Sequence, residues 1–409
     1  MIRLDTATAD FGDRFAALVA ARRESDADVA RDVAAILARV RAEGDAALAD
    51  LTQRFDRHDL DAGGWSIERA DWAAAHAALS PELRAALELA AERIASWHLK
   101  QLPDDRDEDD GAGIRMGARW RPVDAAGIYV PGGRAAYPSS VLMNAIPAKA
   151  AGVKRLVMVT PTPDGIVNPL VLAAAHNAGV DELWRVGGAQ AIAALAFGTK
   201  TIPKVDKIVG PGNAYVTEAK RQVFGYCDID MLAGPTEVVI IANQLSDINF
   251  IRADLEAQSE HFMGLSILIT NSKRIAKALK KESIKGYIVP VKNMEEAAEA
   301  ANMLAPEHLQ ILTNNPKKIA RKIDHAGAIF LGPYTPVAVG DYVAGPSHVL
   351  PTGGSARFFS GLGLSDFYKS SHMLSYTKNA LEKIREPLEK VAGIEKLQKH
   401  LDSVRVRFE

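Results

Sequence analysis

From about residue 120 onward the chain alternates short aliphatic, β-branched runs with amphipathic stretches of helical length, and no other feature limits the fold as much. The runs are Leu156-Val-Met-Val-Thr160, Val238-Val-Ile-Ile241, Leu265-Ser-Ile-Leu-Ile-Thr270, Tyr287-Ile-Val289 and Ala328-Ile-Phe-Leu331. Segments 214–224, 247–258, 272–282, 294–304 and 316–324 lie among them and read as helices. Parallel strands need a crossover between them, and helices packed on both faces of a sheet supply it. The predicted class is α/β with parallel sheets. Upstream, Val29, Val33, Ile36, Leu37 and Val40, and after Gly44 the series Leu48, Leu51, Phe55, repeat at the spacing of an apolar helix face, so helices open the fold.

The 409 residues suffice for two domains of ordinary size. A formal charge of -2 gives no global field toward nucleic acid or an anionic membrane, so neither is expected as a partner and small-molecule chemistry is the starting point. The opening stretch MIRLDTATADFGDRF has no basic segment followed by an apolar core, and no apolar run reaches bilayer-spanning length; a cytoplasmic protein is expected. The lone cysteine, Cys227, excludes an internal disulfide and a cysteine cage for zinc, and reads as a small core residue. Only Lys100, Lys149 and Lys154 precede Lys200, whereas the rest is lysine-rich. Either two related parents join near Thr199 or composition differs by domain.

Four glycine turns adjoin strand-like runs: Gly127-Ile-Tyr-Val-Pro-Gly-Gly133, Val186-Gly-Gly-Ala-Gln190, Gly210-Pro-Gly-Asn213 and Ala233-Gly-Pro-Thr-Glu237. Glycine lets the backbone approach a ligand, and a helix N-terminus beyond such a turn offers free N–H groups to phosphate, though each taken singly is more often just a tight turn. The usual dinucleotide fingerprint is missing, because Gly361-Leu-Gly363 is followed by Asp366 where a glycine is required.

Three further segments carry chemistry. Gln258 and His261 stand three apart at the end of a helical stretch, so an amide oxygen and an imidazole could converge on a divalent ion, or simply mark an exposed helix end. Glu307 and His308 place a carboxylate beside an imidazole before the apolar run Leu309-Gln-Ile-Leu312; joint action requires an irregular turn, which Pro306 favours, and a structural histidine is the alternative. Gly340-Asp-Tyr-Val-Ala-Gly-Pro-Ser-His348 is too rich in glycine and proline for a regular element and reads as a site loop or a plain turn, with Asp341 available to complete a metal shell.

The ordered set GIYVPGG, GGAQAIAALAFGT, GPGN-Y, AGPTE, Q-x-x-H, APEHL, GDYVAGPSHVLPTGG and a final H-x-x-x-V-R-x-R resembles the histidinol dehydrogenase family over nearly the whole chain. The resemblance implies oxidation of L-histidinol to L-histidine through the aldehyde with two NAD molecules and one zinc ion per subunit. It implies Gln258, His261, Asp341 and His400 as zinc ligands, His308 as the base for the alcohol proton, and Glu307 as the activator of water. Thr236, Gln258, His261, His308, Asp341, His348, Glu395 and His400 would meet substrate; Tyr129, Gln190 and Asn213 would meet NAD. Thr236 departs from the serine expected there, which puts substrate affinity in question. The implied fold has two incomplete Rossmann-like domains with helical N- and C-terminal dimerisation segments: a helical segment 1–28, a discontinuous catalytic domain 29–120 and 237–372, an NAD-binding domain 121–236, and a tail 373–409 that completes the partner's site in a homodimer. The competing functions are a related zinc and NAD dehydrogenase of another small amino or sulfonate alcohol, and a two-domain binding protein without catalysis.

Overall fold

Branched side chains pack well on a pleated surface, so the apolar runs extend into strands and the charged stretches between them coil into covering helices. The structure is a computed structural model that describes residues 1–22, 27–132, 137–261, 263–280, 282 and 284–409. Gly133 of the first glycine turn and residue 281 of the segment 272–282 lie outside the described residues. In chain order the first strands are β1 (Ile2–Arg3), β2 (Arg106–Asp109), β3 (Ile114–Pro122), β4 (Ala125–Tyr129), β5 (Arg155–Val159), β6 (Glu182–Trp184) and β7 (Lys207–Val209). They are followed by β8 (Asp228–Ile229), β9 (Glu237–Ala242), β10 (Leu265–Thr270), β11 (Tyr287–Pro290), β12 (His308–Leu312), β13 (Ala328–Leu331) and β14 (Tyr368–Tyr376).

The chain divides into two compact units, one made of Met1–Gln101 with Val123–Phe367, the other of Leu102–Pro122 with Tyr368–Glu409. The first unit holds two parallel sheets, ordered β6-β5-β4-β7-β8 and β1-β11-β10-β9-β12-β13, as the α/β reading requires. Along β9, Val239 and Ile241 join one core with Ile267, Ile269, Leu309 and Ile311, while Val238 and Ile240 join the opposite core with Leu268, Ile288 and Leu312. Burial on both faces is why this run shows no polar alternation. Each such side chain contributes roughly 1.5–3 kcal/mol on leaving water.

The opening helices Ala27–Glu43 and Asp45–Asp56 break at Gly44, whose φ of +59° suits glycine. Their Val33, Leu37, Val40, Leu48 and Leu51 share a core with Val157, Ile192 and Ile208 of the first sheet and its helix Gly188–Phe197. Phe55, counted in the same apolar series, is instead 48% exposed. Within the second unit, β14-β3-β2 form an antiparallel sheet running from Tyr368 opposite Pro122 to Tyr376 opposite Ile114. It is followed by the helices Lys378–Ile394 and Gln398–Arg405, which are tied together where Glu389, also held by Arg385 of its own helix, accepts from Arg405. No helix among the described residues is long and apolar enough to cross a membrane.

Candidate active site

The helix Met294–Leu304 stops because Ala305 turns left-handed at φ +45°, and Pro306 then directs the chain into β12. This irregular turn leaves Glu307 just ahead of the first strand residue, His308, so two adjacent side chains meet instead of pointing to opposite faces. Glu307 Oε2 lies 3.4 Å from His308 Nδ1, accepts the Thr236 hydroxyl at 2.6 Å and accepts the Glu237 backbone N–H at 2.7 Å. The Glu237 carbonyl sits 2.9 Å from His308 Nδ1, so the ring donates there. His308 Nε2 is buried and has no hydrogen-bond partner among the described residues.

That nitrogen borders a cavity of about 640 Å³ whose lining includes Phe330, Asp341 and His348. Asp341 Oδ1 stands 3.9 Å from His308 Nε2, and the Phe330 ring lies 5.9 Å from the imidazole, centroid to centroid. Burial alone would push the His308 imidazole down, but the Glu307 and Asp341 carboxylates and the Glu237 carbonyl outweigh it and raise it to about 9. His348 is driven the other way: burial pushes it down, although Nδ1 lies 3.0 Å from the Asp341 carbonyl. Two imidazoles beside one carboxylate therefore favour opposite protonation states near neutral pH.

Asp341 is not in an irregular loop as the glycine content suggested. Gly340-Asp-Tyr342 finish a short helix, Val337–Tyr342, which Pro336 opens with the extended φ and ψ of a helix N-cap. Gln258 ends the helix Ile248–Gln258, where it is buried and its Nε2 has no partner among the described residues, while His261 lies beyond the helix end and is exposed. Neither is among the described residues lining the His308 cavity. Glu395 caps one tail helix and His400 lies in the other, both exposed in the second unit.

The donor types fit zinc. Asp341 offers a part-exposed carboxylate, His261 an open imidazole, and the Gln258 amide a buried group whose rotation would present oxygen where an unpaired nitrogen now stands. Among the described residues no group of three or more His, Cys, Asp or Glu could hold a metal ion.

A second cavity of about 900 Å³ lies beside the first sheet and is lined by Tyr129, Gln190 and Asn213 together with Gly187 and Gly188. Strand β4 has β5 on one side and β7 on the other, so the order reverses there, and the crevice beyond the carboxyl ends of such strands is where open α/β sheets take ligands. Tyr129 ends β4; burial raises its phenol to about 12, and its oxygen accepts the Gly188 N–H at 3.2 Å. Asn213 caps the helix Ala214–Val223 by accepting the Val216 N–H at 3.1 Å. Side chains at Gly187 or Gly210 would collide with Pro161 or with the Tyr129 carbonyl, so close packing requires glycine at both. The sequence reading missed the contribution of the opening helices, whose Arg54, Phe55 and Asp56 also line this cavity. It missed Glu237 as well, although a carboxylate heading a fully buried strand signals a partner.

Residues 19–408 match the sequence profile of the family described as histidinol dehydrogenase. The histidinol dehydrogenase of Zymomonas mobilis is 50% identical over 99% of this chain and 98% of its own length. That of Gluconobacter oxydans is 50% identical over the full length of both. Among solved structures, the histidinol dehydrogenase of Elizabethkingia anophelis superposes with a TM-score of 0.91 at 33% identity, covering 100% of this chain and 98% of that one.

Proposed function

Because the chain belongs to the histidinol dehydrogenase family, we propose that it oxidises L-histidinol to L-histidine through L-histidinal, with one zinc ion per subunit and two NAD molecules. The observation that carries this reading is the His308 imidazole. Its Nδ1 is committed to the Glu237 carbonyl, while Nε2 has no partner among the described residues and the ring lines a cavity shared with Asp341 and His348. In the neutral ring, the form that prevails above about pH 9, Nε2 takes the proton of the substrate hydroxyl as hydride leaves the carbinol carbon. Tyr129, Gln190 and Asn213 would hold NAD, which would supply the hydride acceptor for each oxidation.

Glu307 acts between the two oxidations. The Thr236 hydroxyl, the Glu237 N–H and the His308 contact all fall on Oε2, leaving Oε1 to take a proton from the water that hydrates the aldehyde. The Thr236 hydroxyl thus does the hydrogen-bonding work expected of serine, and its extra methyl bears on substrate affinity. Gln258, His261, Asp341 and His400 of the partner subunit would hold zinc. Bound zinc supplies a template that fixes the substrate imidazole and amine. His348 and Glu395 of the partner subunit would meet substrate, in a cytoplasmic homodimer.

Incubating the purified protein with zinc, NAD and a panel of amino and sulfonate alcohols tests the reading. Histidinol is expected to give the highest kcat/KM, with NADH formation abolished by a chelator. Preference for another alcohol, or no turnover with any, would overturn it.

A further inference from the structure

We propose that Arg22 is a positioning residue for the Glu307–His308 pair, acting through Glu237; this rests on the catalytic reading of that pair. Arg22 follows the first long helix, Phe11–Ala21, and lies 215 positions from Glu237 in sequence. Its guanidinium grips the Glu237 carboxylate with two nitrogens, Nε at 2.7 Å from Oε1 and the second on Oε2, in a pair whose side chains are 6% and 4% exposed. The third nitrogen donates to the Leu304 carbonyl at 2.8 Å.

Those anchors lie on both sides of the reacting groups. Glu237 uses its backbone for the pair, the N–H to Glu307 and the carbonyl to His308 Nδ1, so the position of this one residue sets both the direction of the carboxylate and the tautomer of the ring. Leu304 is the last residue of the helix whose left-handed exit delivers Glu307. A single planar fork therefore fixes the start of β9 relative to the turn before β12. The Gly353 N–H adds a third hold on Glu237 Oε1 at 3.0 Å, which orients the carboxylate but does not reach the Leu304 turn. Arginine suits the task because its planar donors match a carboxylate and a carbonyl at once; lysine offers one nitrogen for three acceptors.

The loss of Arg22 should then slow both oxidations, since both groups are held through Glu237, without weakening substrate capture. The zinc-loaded dimer of Arg22→Met is assayed for kcat and KM with histidinol and with histidinal, alongside NAD affinity and a count of competent sites from the NADH burst in a single turnover. Expected is a fall in kcat of about 10–100-fold in both half-reactions, KM and NAD affinity within about twofold, and an undiminished number of competent sites. Arg22→Lys should fall between parent and Arg22→Met. An unchanged kcat would overturn the proposal, and so would a fall in kcat matched by an equal fall in competent sites, which is the mark of a purely structural pair. If Arg22→Met fails to fold, Glu237→Gln takes its place, since it keeps shape and backbone groups; parental kcat in that variant overturns the proposal equally. Absence of histidinol oxidation in the parent enzyme would instead strike the catalytic reading itself.

Discussion

Replacing Lys220 with Met strikes a buried charge beneath the Gly210 turn and lets its cost be reckoned from the contacts. The Lys220 and Asp230 side chains form an ion pair at 2% and 0% exposure. Lys220 donates to the Gly210 carbonyl at 2.9 Å, and Asp230 accepts the N–H groups of Gly210 at 2.7 Å and Met231 at 2.6 Å. The pair thus holds both polar groups of a glycine at φ +112° that packs on the Tyr129 backbone. Removing one partner from a buried pair costs about 3–5 kcal/mol. Two backbone donors remain on the Asp230 carboxylate, which places the loss near the lower end, ~3 kcal/mol. In a compact unit of roughly 350 residues, with about 2.1 cal/mol/K of unfolding entropy per residue, each kcal/mol moves the melting midpoint by about 1.4 °C, so Lys220→Met should melt about 4 °C early. Freed of its clamp, the Gly210 turn should also bind NAD about tenfold more weakly, a change of ~1.4 kcal/mol. Calorimetry and NAD titration read the two effects, and adding Asp230→Asn should recover part of the stability because the orphaned charge is gone. A midpoint within about 1 °C of the parent, corresponding to less than ~1 kcal/mol, would refute the reasoning.

His308→Asn should lower histidinol turnover by about 10²–10⁴-fold with substrate affinity retained, as measured by steady-state kinetics and equilibrium binding. Near-parental turnover would exclude this residue as the base. Cys227, raised to about 12 by burial and then by Asp228 and Asp206, should be about one part in 10⁴ thiolate at pH 8. A thiol reagent should therefore leave the native protein unmodified and take up one equivalent after denaturation; rapid native labelling would contradict the burial. Mixed dimers of inactive His308→Ala and inactive His400→Ala chains should regain activity, because a tail acting in trans concentrates both lesions in one site. Continued inactivity of a folded, zinc-loaded mixed dimer would remove the shared-site proposal.

The parallel sheets were legible because strands buried on both faces leave unbroken apolar runs, as in Val238–Ile241. The antiparallel sheet of β2, β3 and β14 left no such trace: its strands are mostly exposed and carry Arg115, Arg119, Arg121 and Lys369, so no burial disciplines their sequence. Glu307 and His308 stood out as a carboxylate beside an imidazole, yet their meeting depends on the left-handed Ala305, which neither composition nor periodicity encodes. Asp341 was legible as a polar residue among glycines, but the short helix carrying it was obscured by Gly340. Glu237 and Arg22 escaped because their pairing joins residues 215 apart, and only folding brings them together.

The central claim, two successive oxidations at one site, is tested most directly by the yield of NADH from limiting histidinol in excess NAD. The account predicts two NADH and one histidine per histidinol consumed, with no aldehyde trapped by an added carbonyl reagent. One NADH per histidinol with histidinal accumulating in solution would contradict it.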